Sequence, residues 1–129
     1  MSKENKQPVY EAEIITEGAE SQAVVSDDVI ATVVGLAATE VEGVAHLPGN
    51  MTKEQIGKNG VKNNSKGVRV SLKEGRVAAE VSICVQYGYN IPKVAKNVQE
   101  RVRSAIESML GFEADSVTLR VIGVDLDKK

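Results

Sequence analysis

Cysteine and histidine, two side chains that often carry nucleophilic or metal chemistry, each occur once in this chain of 129 residues. Cys84 and His46 lie far apart in the sequence. A reactive thiol needs a nearby base or positive charge, and a metal ion needs several converging ligands. The sequence indicates neither, so Cys84 is interpreted as a small residue on a sheet face and His46 as solvated or capping a carbonyl. We expect no catalytic residue, metal site or cofactor, and we predict that the chain is not an enzyme.

A short glycine motif indicates a different chemistry. Gly57, Lys58, Asn59 and Gly60 match the GXXG loop with which KH modules clamp a nucleic-acid backbone. The residues after Gly60 lack helical apolar spacing, and the formal net charge of −2 does not favour nucleic acid as a partner. Recognition by stacking is disfavoured because aromatic residues make up only 3% of the chain. An RNA-binding module that uses this loop is therefore kept as an alternative.

The stretch from Arg76 to Phe112 organises the elements that must position any site. Its first part alternates between apolar and polar residues, which predicts a strand with one face in a core. Its second part, between Asn90 and Gly111, has apolar residues every three or four positions, which predicts an amphipathic helix. The predicted core stripe of this helix comprises Ile91, Val94, Ala95, Val98, Val102, Ala105, Ile106 and Met109.

The remaining elements follow from similar patterns. Ser26 suits the N-cap of a first helix, and Gly43 suits its end. The turn at Gly75 predicts a hairpin between the two central strands. A weak strand at 20–25 and a last strand at 116–124 complete the order β-α-β-β-α-β.

This order predicts an α+β domain in which two helices cover one face of a four-stranded sheet. Ferredoxin-like topology is one candidate for it. We assign residues 19–125 to a single domain with a long, mobile polar loop at 46–66. Residues 1–18 are predicted to be a disordered tail, whose few apolar residues could pack on the domain or bind a partner, and residues 126–129 a short charged tail.

The composition indicates a cytoplasmic protein. A single cysteine allows no internal disulfide, which favours a reducing compartment. The N-terminal residues lack the apolar run of a signal peptide, and no stretch approaches the roughly 20 apolar residues of a membrane span.

Four stretches of the chain resemble the alkaline shock protein family, which comprises small bacterial proteins of the general-stress and envelope-stress responses. They are VVSDDVIATVVGLAATEVEGVAHL, KGVRVSL, VAAEVSICVQYGYNIPKVAKNVQERVRSAIESMLG and VTLRVIGV. The resemblance implies a cytoplasmic protein that acts near the membrane through partners, without established catalytic residues. It also implies a link to fatty-acid synthesis, because some members are connected with the regulation of that pathway.

We therefore predict a non-enzymatic interaction or scaffolding module in cell-envelope stress and homeostasis. Regulation of a fatty-acid synthesis enzyme is a further alternative. The expected partner is another protein: a membrane-anchored envelope protein, a lipid-synthesis enzyme or a second copy of this chain.

The predicted binding surface is the sheet face that the two helices leave open. Its short and charged side chains allow a partner to approach closely, and arginine is favoured at interfaces. The residues assigned to this surface are Arg69, Glu80, Ser82, Cys84 and Arg120.

Overall fold

The computed structural model describes residues 25–65 and 67–126. Its elements are α1 (Asp27–Thr39), β1 (Val44–His46), α2 (Lys53–Asn59), β2 (Val68–Lys73), β3 (Arg76–Gln86), α3 (Ile91–Ser108) and β4 (Glu113–Asp125). The mixture of one sheet and packed helices confirms the predicted α+β class. Residues 1–18 and residues 20–24 of the predicted weak strand at 20–25 lie outside the described residues, as does most of the C-terminal tail, and Val25 is not part of a strand.

Strand β3 is the centre of the sheet because it pairs with each of the other three strands. Along one edge it pairs antiparallel with β2 over its first half and with β1 near its end. Along the other edge it pairs parallel with β4 from Arg76↔Glu113 to Gln86↔Asp125. The predicted hairpin is confirmed, since Glu74 and Gly75 both have positive φ in the two-residue turn between β2 and β3.

The strand order differs from that of the ferredoxin-like candidate. In such a split β-α-β unit, another strand separates the two strands that the helix connects. Here α3 connects β3 and β4, which pair directly with each other. The direct pairing makes β4 an edge strand of the described sheet.

Helices α1 and α3 cover one face of this sheet and pack against each other. All the apolar residues of β3 that alternation assigned to the core are buried: Val77, Ala79, Val81, Ile83 and Val85. The predicted stripe of α3 is confirmed at Val94, Val98, Val102, Ala105 and Ile106. Ala95 is half-buried, and Ile91 and Met109, the first residue and the C-cap of α3, are exposed instead because they lie at the ends of the helix.

The segment at 46–66 is not the continuous loop that the sequence predicts, and its predicted mobility stays a prediction. The segment contains α2, whose N-cap Thr52 accepts a hydrogen bond from the backbone of Gln55. Four buried apolar side chains of the segment at 46–66 anchor it to the core: Leu47, Met51, Ile56 and Val61. A Cβ at Gly35 of α1 would lie at ordinary contact distance, 3.4 to 3.6 Å, from three of these side chains, so the segment packs directly against α1. Sparse apolar residues in a polar stretch gave no periodic signal, which is why the helix was missed.

No helix within residues 25–65 and 67–126 is both long and apolar enough to span a membrane.

Candidate functional site

The sheet face opposite the helices, here called the open face, carries the alternate residues of β3. Glu80, Ser82 and Cys84 are half-buried there, and Arg69 of β2 and Arg120 of β4 flank them. The register explains this placement, since Arg69 lies opposite Glu80 and Arg120 lies beside Ser82. All five residues assigned to the binding surface therefore share one face.

Glu80 holds the two arginines together. Its Oε2 lies 3.0 Å from Nη2 of Arg120, and its Oε1 lies 3.6 Å from Nη1 of Arg69. The side chain of Glu80 is 29% exposed, whereas those of Arg69 and Arg120 are 71% and 65% exposed. A guanidinium has five N–H donors, so both arginines keep donors that Glu80 does not use. The Arg69–Glu80–Arg120 cluster is thus an oriented site with one excess positive charge.

A small pocket of about 180 Å³ opens beside this cluster. Its lining comprises Asn64, Gly67, Val68, Arg69, Glu80, Ser82 and Arg120. This volume is below the several hundred Å³ of typical small-ligand pockets, and it suits one inserted side chain of a partner. Gly67 is needed in its wall, because its φ is +79° and a Cβ there would lie 2.7 Å from the ring of Pro48.

The segment before β2 fixes the side of the pocket. Asn63 binds the backbone of Val70 twice, through Nδ2 to the carbonyl at 3.1 Å and through Oδ1 from the N–H at 2.8 Å. The backbone N–H of Asn63 donates to Oδ1 of Asp28 at 2.9 Å, and Asn64 accepts from Nε of Arg69 at 3.0 Å. The N-terminus of α1 is therefore bonded to Asn63, the residue that precedes Asn64 of the pocket wall. The sequence predicted the cap at Ser26, which is confirmed, but gave no signal for the role of Asp28.

Cys84 has neighbours that the sequence did not reveal. His46 of β1 lies opposite it in the ladder, and Nε2 of His46 is 3.5 Å from Oδ2 of Asp125. Burial raises the pKa of the Cys84 thiol, and the nearby carboxylate of Asp125 raises it further. A raised pKa keeps the thiol protonated, so this cluster disfavours a thiolate nucleophile.

A resident metal ion has no ligand set in the part of the chain that the structure describes. No group of three or more His, Cys, Asp or Glu side chains there is arranged to hold one.

The glycine motif does not form a loop between helices. Gly57, Lys58 and Asn59 lie within α2, and Gly60 is its C-cap with φ 73°. The next described element is a strand, not a helix. The structural premise of a KH-type clamp is therefore wrong, because the motif is the last turn of a short helix anchored by Ile56.

Comparison with protein families identifies the relatives of this chain. The model of the alkaline shock protein 23 family, which is described as having a cell envelope-related function, matches residues 16–126. The chain belongs to the alkaline shock protein 23 family. This confirms the resemblance noted in the sequence, and it covers the whole described domain.

Individual relatives of this alkaline shock protein are found in Bacillus subtilis and Streptococcus pyogenes. This chain is 33% identical over 105 residues to YqhY of Bacillus subtilis. The match covers 81% of this chain and 78% of that protein. The chain is 43% identical over 101 residues to Spy1614 of Streptococcus pyogenes, covering 74% and 81%. A more distant Streptococcus pyogenes relative, named a homolog of the stress response regulator gls24, is 23% identical over 114 residues, covering 85% of this chain and 62% of that protein.

One solved structure has a similar fold. The C-terminal domain of MamM, in a structure titled as its copper form, superposes with a TM-score of 0.50. The match covers 80% of this chain and 91% of that domain at 14% sequence identity. At this identity the likeness concerns the fold alone.

Proposed function

We propose that this alkaline shock protein is a non-enzymatic interaction module of cell-envelope stress and homeostasis, which binds a partner protein through its open face. The family description and the name of the gls24-type relative support the cellular role. The observation that carries the molecular role is the Arg69–Glu80–Arg120 cluster beside a pocket, on the sheet face that no helix of the described residues covers.

The chemistry of this surface suits a partner with a carboxylate. Two arginines against one glutamate leave one positive charge in excess, and arginine pairs with carboxylates in a bidentate geometry. The neighbouring side chains are short, so a strand or loop of the partner can approach the sheet closely. In this proposal the acidic side chain enters the pocket, and the surrounding small residues form the rim.

Other function classes receive less support from the same surface. Stacking on nucleic-acid bases needs aromatic side chains, and the exposed positions of β2 and β3 on this face hold none. The thiol of Cys84 has a raised pKa, which opposes nucleophilic catalysis. We also propose that the protein is cytoplasmic and lies near the membrane. In this proposal a membrane-anchored partner or a lipid-synthesis enzyme holds it there.

The test compares two serine-to-arginine variants as baits in quantitative pull-downs from the native cell. Ser82→Arg fills the pocket on the open face, whereas Ser108→Arg places the same side chain on the exposed end of α3. A partner that the wild type and Ser108→Arg retain and Ser82→Arg loses would support the proposal. Equal capture by all three proteins, with folding confirmed by circular dichroism, would reject the open face as the binding surface.

The identity of the lost partner also separates the alternatives. A subunit of a lipid-synthesis enzyme would favour regulation of fatty-acid synthesis, and an envelope protein would favour scaffolding. RNA binding that weakens steeply with salt and survives Ser82→Arg would instead favour a nucleic-acid function.

A further inference from the structure

We propose that residues 9–17 of this chain add in cis as an extra strand to the outer edge of β4. The segment reads VYEAEIITE and lies outside the described residues. The inference concerns an edge of the sheet, and it does not rest on the existence of the partner proposed above.

The outer edge of β4 is the first observation. Over residues 25–65 and 67–126, no strand pairs with this edge. Side chains of α3 bind two carbonyls of its first half: Gln99 donates to Val117 and Arg103 donates to Ala114, each at 3.1 Å. Beyond Val117, no such contact from the described residues protects the edge at Leu119 and Val121. An unprotected edge strand presents backbone groups that readily pair with another strand.

The side chains around this second half of β4 are the second observation. Four exposed apolar residues cluster at its end: Val121, Ile122, Val124 and Leu126. Ile122 and Leu126 are 53% and 68% exposed. Val121 lies on the helix side of the sheet, while its neighbour Arg120 lies on the open face. An added strand that is apolar on the helix side and acidic on the open-face side next to Arg120 would match this edge.

Within this segment, residues 10–14 have this two-sided pattern. Tyr10, Ala12 and Ile14 alternate with Glu11 and Glu13. In an extended strand the first three side chains point to one side, and the two glutamates point to the other, about 6.6 Å apart. When the apolar side continues the core beyond Val121, the carboxylates lie on the same face as Arg120. The segment carries three glutamates and no basic residue, so its charge complements the open face.

The connection is long enough for this docking. The described chain enters α1 at Ser26, whose neighbour Asp28 is bonded to Asn63 on the β2 side of the sheet. From β2 to a strand added beyond β4 there are three inter-strand spacings, which together measure about 15 Å. The roughly nine extended residue steps from Glu17 to Ser26 reach up to about 30 Å, which is sufficient to pass to the outer edge of β4. Docking would engage Arg120, so the segment would compete with an acidic partner for that residue.

The test is paramagnetic relaxation in the full chain. A nitroxide is attached to Gln7→Cys in a Cys84→Ser background, and the backbone amide signals are compared with those of the reduced label. We expect the amides of Leu119 and Val121 to lose intensity, while amides on the exposed face of α3, such as Lys96, do not. Intensity losses that are uniform, or confined to the surroundings of Asn63 where the chain enters, would overturn the proposal.

Matched charge variants test the mode of docking. Glu11→Arg with Glu13→Arg should abolish the intensity loss at β4 and speed amide exchange at Leu119 and Val121. Glu4→Arg with Glu20→Arg makes the same charge change outside the segment and should preserve both. Persistence of the intensity loss at β4 in the first variant would overturn the proposal.

A mixed sample distinguishes docking in cis from exchange between molecules. The nitroxide is placed on unlabelled chains and the amides are observed on separate ¹⁵N-labelled chains. Docking in cis predicts no intensity loss in the mixture. A loss at β4 equal to that of the singly prepared sample would overturn docking in cis and identify a second copy as the source of the strand.

Discussion

Replacement of Ile56 by alanine tests whether the segment between β1 and β2 is an integral part of the domain. The Ile56 side chain is fully buried, and its Cδ1 would lie 3.6 Å from a Cβ built at Gly35 of α1. The substitution removes three methyl or methylene groups. At about 0.8 kcal/mol each, the lost transfer free energy is about 2.4 kcal/mol. The cavity that remains adds to this cost, so we expect a loss of about 2.5–4 kcal/mol in the free energy of unfolding.

The assay is urea-induced unfolding followed by circular dichroism, with Gln55→Ala as the control. Gln55 is exposed in the same helix, so its replacement should change stability by no more than about 0.5 kcal/mol. At about 4–8 °C per kcal/mol, the Ile56→Ala midpoint of thermal unfolding should fall by about 10–30 °C. Equal and small losses for both variants would refute the reasoning and restore the interpretation of this segment as a mobile loop.

Two further predictions concern the core and the thiol. Ile106→Ala, in the buried stripe of α3, should cost about 2–5 kcal/mol in denaturant unfolding, whereas exposed Glu107→Ala should change stability by about 0.5 kcal/mol or less; equal losses would contradict the assigned face. Alkylation of Cys84 should be slow at neutral pH, because its raised pKa leaves little thiolate. Asp125→Asn removes a negative charge that raises this pKa, so alkylation at a given pH should accelerate; exposed Asp115→Asn is the control, and no difference between the two would contradict the electrostatic contribution.

Strong periodicity made the central part of the fold predictable. The alternation in β3 and the helical spacing in α3 each assigned a buried face, and both faces are found in the structure. The same alternation placed Arg69, Glu80 and Arg120 on the opposite side of the sheet. Their convergence into one cluster depends on the register of three strands, which a single sequence does not reveal.

The elements that the sequence missed are short and depend on distant contacts. Strand β1 has only three residues, and its pairing with β3 brings His46 next to Cys84. Helix α2 has one fully buried side chain of its own, Ile56, so no repeating pattern marked it. The GXXG match misled because four residues define the motif, while the flanking helices that give it meaning are set by the surrounding fold.

The most direct test of the open-face account is the affinity of Arg120→Gln for the partner that Ser82→Arg fails to capture. Calorimetric titration of the purified partner would be performed on the wild type, Arg120→Gln and Arg101→Gln. Arg101 is an exposed arginine of α3 that is paired with Glu40 at 2.9 Å, so it controls for the loss of one positive charge. The account predicts that Arg120→Gln raises the Kd at least about tenfold, which corresponds to a loss of about 1.4 kcal/mol in binding free energy. It predicts no comparable change for Arg101→Gln. Equal affinity of the wild type and Arg120→Gln would contradict the central claim.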